Sequence, residues 1–118
     1  MKSIRWIGCE EAEVELSNDN DNEEQTILAF CHPCTLKLGD RVNQPLEAFD
    51  TGIIVISQIE NVVIEKQTGF SYRIIAKSID ISARIVDACG ILIRLPKLPY
   101  LCHVGEFLEF YVERLDLV

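Results

Sequence analysis

Cys31-His32-Pro33-Cys34 is the one stretch of this chain whose residue types and spacing carry named chemistry. A Cys-x-x-Cys pair can cycle through a disulfide or supply half of a zinc site. A tetrahedral zinc would need further ligands from Cys9, Cys89, Cys102 or His103, and the sequence has no second Cys-x-x-Cys and no His-x-x-x-His to bring them in as a pair. The cysteines otherwise read as small apolar residues in or beside strand-like runs. A thiol nucleophile needs a histidine within hydrogen-bond reach. His32 and His103 are the only histidines, and each directly follows a cysteine. On a strand such neighbours point to opposite faces. That leaves the cross-pairs, Cys31 with His103 or Cys102 with His32, which require two distant segments to meet.

The Cys-x-x-Cys spacing after the strand-like Ile27-Leu28-Ala29-Phe30 resembles the redox centre of thioredoxin-like proteins. In that family the motif opens a helix whose N-terminus lowers the thiol pKa. Here Thr35 to Val42 reads as turn and strand with no βαβ pattern around it, so a redox role is not expected. Acid–base catalysis needs a carboxyl group whose surroundings raise its pKa, and the carboxylates of this chain fall in solvated-looking positions. Tyr72, Tyr100 and Tyr111 are scattered, no serine has a nucleophile elbow, and no phosphate loop is present. Asn18 to Glu24 alternates side-chain oxygens like a calcium loop, but it lacks the glycine, the closing glutamate and the flanking helices of an EF-hand. The expectation is a non-enzyme with no cofactor and no metal.

Charge is the stronger signal. Residues 10 to 24 hold eight carboxylates and no base, and this one stretch accounts for the net charge of −8. Glu11, Glu13 and Glu15 alternate with Ala12, Val14 and Leu16, which predicts a half-buried strand with one acidic face. A polar loop adds Asp19, Asp21, Glu23 and Glu24, and Gln25 to Phe30 returns as a second apolar strand. The result is an acidic hairpin over residues 10–30. Like charges on one strand face repel, so an unpartnered face would normally mix signs. A basic partner would relieve that repulsion.

The other elements also read with period two. Leu38-Gly39-Asp40 marks a strand entrance. Gly52 to Lys66 is rich in Ile and Val, with a break in phase near Gln58 to Asn61. Thr68-Gly69 is the strongest hairpin signal and leads into Ser71 to Ile81. Ala83 to Asp87 and Ile91 to Leu95 flank Gly90. After Val104-Gly105-Glu106, residues Phe107, Glu109, Tyr111 and Glu113 face one way, and Leu108, Phe110 and Val112 the other. The best helix candidate, Leu46 to Asp50, is barely one turn. Residues 1–118 therefore form a single all-β domain of roughly seven to nine short strands, a small antiparallel OB-like barrel or a two-sheet sandwich.

The absence of a secretory pattern at the N-terminus and an odd five cysteines point to reduced thiols in the cytoplasm, and no apolar run is long enough for a membrane helix. Excess acid works against nucleic-acid binding, which rests on Lys and Arg neutralising phosphates. The expected function is a non-enzymatic inhibitor or immunity-type protein covering the cationic site of a basic partner such as a nuclease toxin. Glu11, Glu13, Glu15, Asp19, Asp21, Glu23 and Glu24 would make the contact, with Trp6 or Phe30 as possible anchors. The alternatives are an OB-like module binding an oligonucleotide, peptide or subunit through Phe70, Tyr72, Arg73 and Lys77, and a thiol or zinc site around Cys31 and Cys34.

Overall fold

The computed structural model describes residues 3–6, 12–17, 26–31, 44–69, 71–99 and 101–117. The alternating segments form β1 (Ser3–Trp6), β2 (Ala12–Ser17), β3 (Thr26–Cys31), β4 (Leu46–Phe49), β5 (Val55–Ile56) and β6 (Val63–Lys66). They continue with β7 (Tyr72–Asp80), β8 (Ile85–Ala88), β9 (Ile91–Arg94), β10 (Phe107–Val112) and β11 (Arg114–Leu117). All are hydrogen-bonded into one mixed sheet in the order β1-β2-β3-β11-β4-β9-β8-β7-β10-β5. β6 lies beside the first half of β7, on the flank that β8 takes along its second half. The β11–β3 and β4–β9 pairings are parallel and the others antiparallel. The all-β reading holds. The path is not closed into the expected barrel: it has two ends, β1 and β5, and among the described residues the sheet contains eleven strands, ten of them on this path, rather than seven to nine.

Turn chemistry explains the local hairpins. Cys89 and Gly90 both take positive φ, 54° and 92°, as a two-residue turn matching the strand twist demands, and Asp87 Oδ1 accepts the Gly90 N–H at 2.6 Å. Gly69, at φ 64°, lies between β6 and β7, where the Ser71 N–H returns to the Thr68 carbonyl at 3.1 Å. The break in Gly52 to Lys66 is real: β5 ends at Ile56 and β6 starts at Val63. Leu46–Phe49, the best of the weak helix candidates, is a strand. These residues are helix formers, but they lie between β11 and β9, and pairing on both flanks makes them a strand.

The sheet turns a corner at Glu113, which separates β10 from β11. β10 pairs with β7 and β5, whereas β11 pairs with β4 and β3. The opposing run, β4 to β5, bends with it. Arg114 faces Phe49 and Glu109 faces Val55, so the β4–β5 side carries one extra residue at the corner. Asp50 and Gly52, with φ 57° and 61°, supply the bulge. The Glu113 N–H then bonds the Phe49 carbonyl at 3.2 Å.

Bending brings the inner face onto itself. Ala12, Val14 and Leu16 of β2, Ile27, Ala29 and Cys31 of β3, and Leu115 and Leu117 of β11 join Tyr72, Ile74 and Ala76 of β7 and Leu108, Phe110 and Val112 of β10 in one cluster. Burying each large apolar side chain contributes about 1.5 to 3 kcal/mol. One bond joins two separated parts of the sheet: the Leu28 N–H of β3 donates to the Tyr72 hydroxyl of β7 at 2.9 Å, although these strands are several places apart in the strand order.

Candidate partner-binding face

Alternation that buries Ala12, Val14 and Leu16 puts Glu13 and Glu15 on the outer face of β2, as the sequence predicts. Both are half-buried, and both engage neighbours. β2 is no edge strand, because β1 pairs with one side and β3 with the other. Glu11, Asp19, Asp21, Glu23 and Glu24 lie outside the described residues, as do Cys9, His32, Cys34, the segment Thr35 to Val42 and Phe70. Trp6 ends β1, opposite Ala12.

Register extends the acidic strand into a row. Glu13 lies opposite Phe30, Phe30 opposite Asp116, Asp116 opposite Glu47 and Glu47 opposite Arg94. At the usual strand spacing of about 4.8 Å, the four steps span roughly 19 Å. Two of these acids bring their own cations. The Arg114 guanidinium donates from Nε and Nη2 to Asp116 at 2.7 and 3.1 Å, and stacks over the rings of Phe30 and Phe49 at 4.7 and 4.8 Å. Arg94 Nη1 donates to Glu47 Oε1 at 2.6 Å. The row thus runs from the acidic hairpin into an aromatic and ion-paired zone on β11, β4 and β9. Phe30, half-buried beside Arg114, sits at the join.

Arg114, Asp116, Phe49, Glu47 and Arg94 were not candidates from sequence. Their alternation is visible in Arg114-Leu115-Asp116-Leu117, but nothing local says that β11 lies beside β3. The reverse holds for the OB-like platform. Tyr72 is 3% exposed on the core face, so it cannot stack on an external base. Burial pushes its hydroxyl pKa up, and the charge of Glu15 adds to that, with the Leu28 bond opposing. Arg73 does face outward, but it is held by Glu109 and, at 3.5 Å, by Glu65, and its bond to Glu109 raises its pKa. Lys77 is exposed.

The thiol candidates also separate. Cys31 is 2% exposed on the core face, whereas His103 is exposed in the turn before β10. Around that turn, Ser78 Oγ lies 2.7 Å from the His103 carbonyl and 3.0 Å from that of Glu106, and the His103 N–H donates to Glu106 Oε1 at 2.6 Å. These bonds pin the turn to β7. Burial, followed by the nearby Glu106 charge, pushes the Cys102 thiol up from its ordinary pKa, with Ser78 pulling weakly the other way. A raised pKa lowers the share of nucleophilic thiolate at this residue. Among the described residues no group of three or more His, Cys, Asp or Glu is placed to hold a metal ion, and no helix is long and apolar enough to cross a membrane.

No protein-family model, curated protein or solved structure matches the chain.

Proposed function

We propose that this chain is a non-enzymatic binding protein of the inhibitor or immunity type, which uses its acidic hairpin to cover the cationic site of a basic partner such as a nuclease toxin. The observation that carries the reading is the outer face of β2. Glu13 and Glu15 share it, Phe30 and Asp116 continue it, and the hairpin loop supplies Asp19, Asp21, Glu23 and Glu24 in sequence. An aromatic side chain beside a concentrated acidic surface provides both an anchor and a field for steering a cation. Cys31 packed as an apolar residue is compatible with the reducing cytoplasm that this reading assigns to the protein.

The test is capture from lysate of the source cell at low and high salt, using the native chain and a Glu13→Lys, Glu15→Lys, Glu23→Lys variant whose folding is checked by its melting curve. One basic protein, retained at low salt and released both by salt and by the variant, is the expected result. Equal recovery with both chains would remove the hairpin from the binding mechanism.

A further inference from the structure

The far end of the sheet carries a second surface. β5 is the terminal strand, and β10 pairs with one side of it through Ile56 with Leu108 and Val55 with Glu109. The Ser57 N–H donates to the Phe107 carbonyl at 2.7 Å, so backbone alternation aims the polar groups of Ser57 and Val55 at β10 and those of Ile56 outward. Among the described residues no strand pairs with that outward side. The surrounding side chains are apolar and exposed: Ile53 at 82%, Val55 at 45%, Ile56 at 43% and Ile59 at 46%, with Tyr111 at 56% on neighbouring β10. Folded domains normally blunt an edge with lysines or proline. This edge has neither, since no Lys or Arg lies between Arg41 and Lys66 and Pro45 precedes β4.

Charge identifies the occupant. Exposed Asp50, Glu60 and Glu113 lie within three residues in sequence of Ile53, Ile59 and Tyr111. A second copy would set the same acids against one another and join two chains of charge −8. A segment with basic flanks would be attracted. We propose that β5 is a strand-addition site for an extended apolar segment of a partner protein flanked by Lys or Arg. Main-chain bonds to Ile56 would hold the backbone, while alternate side chains would pack on Ile53, Val55 and Tyr111. This goes beyond the hairpin reading, since it concerns the opposite end of the strand order and is independent of Glu13 and Glu15.

The experiment is a fluorescence-anisotropy titration of the full chain with a labelled peptide of alternating threonine and valine ending in paired lysines, and with its counterpart ending in glutamates. The lysine-ended peptide should bind at least about tenfold more tightly. Ile56→Pro removes the outward donor while sparing the bonds to β10, and Ile53→Lys places a cation on the patch. Each should weaken binding of the lysine-ended peptide at least about tenfold. Ile53 is so exposed that its variant tests the proposal even if Ile56→Pro does not fold. Equal binding of both peptides, no binding up to millimolar concentration, or insensitivity to Ile53→Lys would overturn the proposal. So would sedimentation showing Ile53-dependent dimers of the chain itself.

Discussion

Replacing Tyr72 by phenylalanine deletes one oxygen, and in this fold that oxygen joins two distant parts of the sheet. The ring is 3% exposed and stays packed, so apolar burial is nearly conserved. The loss is the acceptor for the part-buried Leu28 N–H, and a donor left unmatched away from water costs about 1 to 3 kcal/mol. For 118 residues the unfolding entropy is about 0.25 kcal/mol per kelvin, so each kcal/mol is worth about 4 °C. Thermal unfolding followed by circular dichroism should therefore show Tyr72→Phe melting about 4 to 12 °C below the native chain. Tyr111→Phe, altering a ring that is 56% exposed, should fall within about 0.5 kcal/mol of it.

A pH series sharpens the test. Burial raises the folded pKa of Tyr72 above its ordinary value of 10.0. The unfolded chain therefore loses this proton first. The stability linked to it is fully present below about pH 10 and is lost as pH rises through the folded pKa. The gap between the native chain and Tyr72→Phe should narrow above about pH 10. A variant melting within about 1 °C of the native chain, or a gap that does not change with pH, would refute the claim that the sheet is stitched at Tyr72.

Two further outcomes test the turns. Gly90→Ala places a Cβ at φ 92°, outside the range that alanine accepts, and should cost about 1 to 2 kcal/mol in a urea titration, whereas Gly90→Asn should be milder. Because burial and Glu106 raise the Cys102 pKa, labelling of this thiol by iodoacetamide, located by peptide mass analysis, should stay slow at pH 8 and climb only above the ordinary thiol value of 9.0. Glu106→Gln should move that climb to lower pH, and an unaltered profile would show that the carboxylate does not act on the thiol.

Much of the local structure was legible because strands advertise themselves with period two. Ala12, Val14 and Leu16 against Glu13 and Glu15, Leu108, Phe110 and Val112 against Glu109 and Tyr111, and the turns at Gly69 and Gly90 all stand where alternation and turn chemistry put them. Leu46–Phe49 was not legible as a strand because its short run carries a weak local preference for helix, which two flanking strands override. Tyr72 misled as an external aromatic because alternation gives two faces without saying which is covered.

By itself, then, the sequence determined the all-β class, the faces of β2 and β10 and the acidity of the first hairpin, all properties of neighbours a few residues apart. Only the tertiary structure decided that β11 lies beside β3, that Arg114 stacks between Phe30 and Phe49, and that Leu28 bonds a tyrosine 44 residues away. It also decided that Ile53, Ile56 and Ile59 lie exposed in and around β5, whose outward side no strand pairs with among the described residues. The physical reason is that strand neighbours and register are settled by how the whole sheet bends around a shared core, an energy that no short window of residues contains.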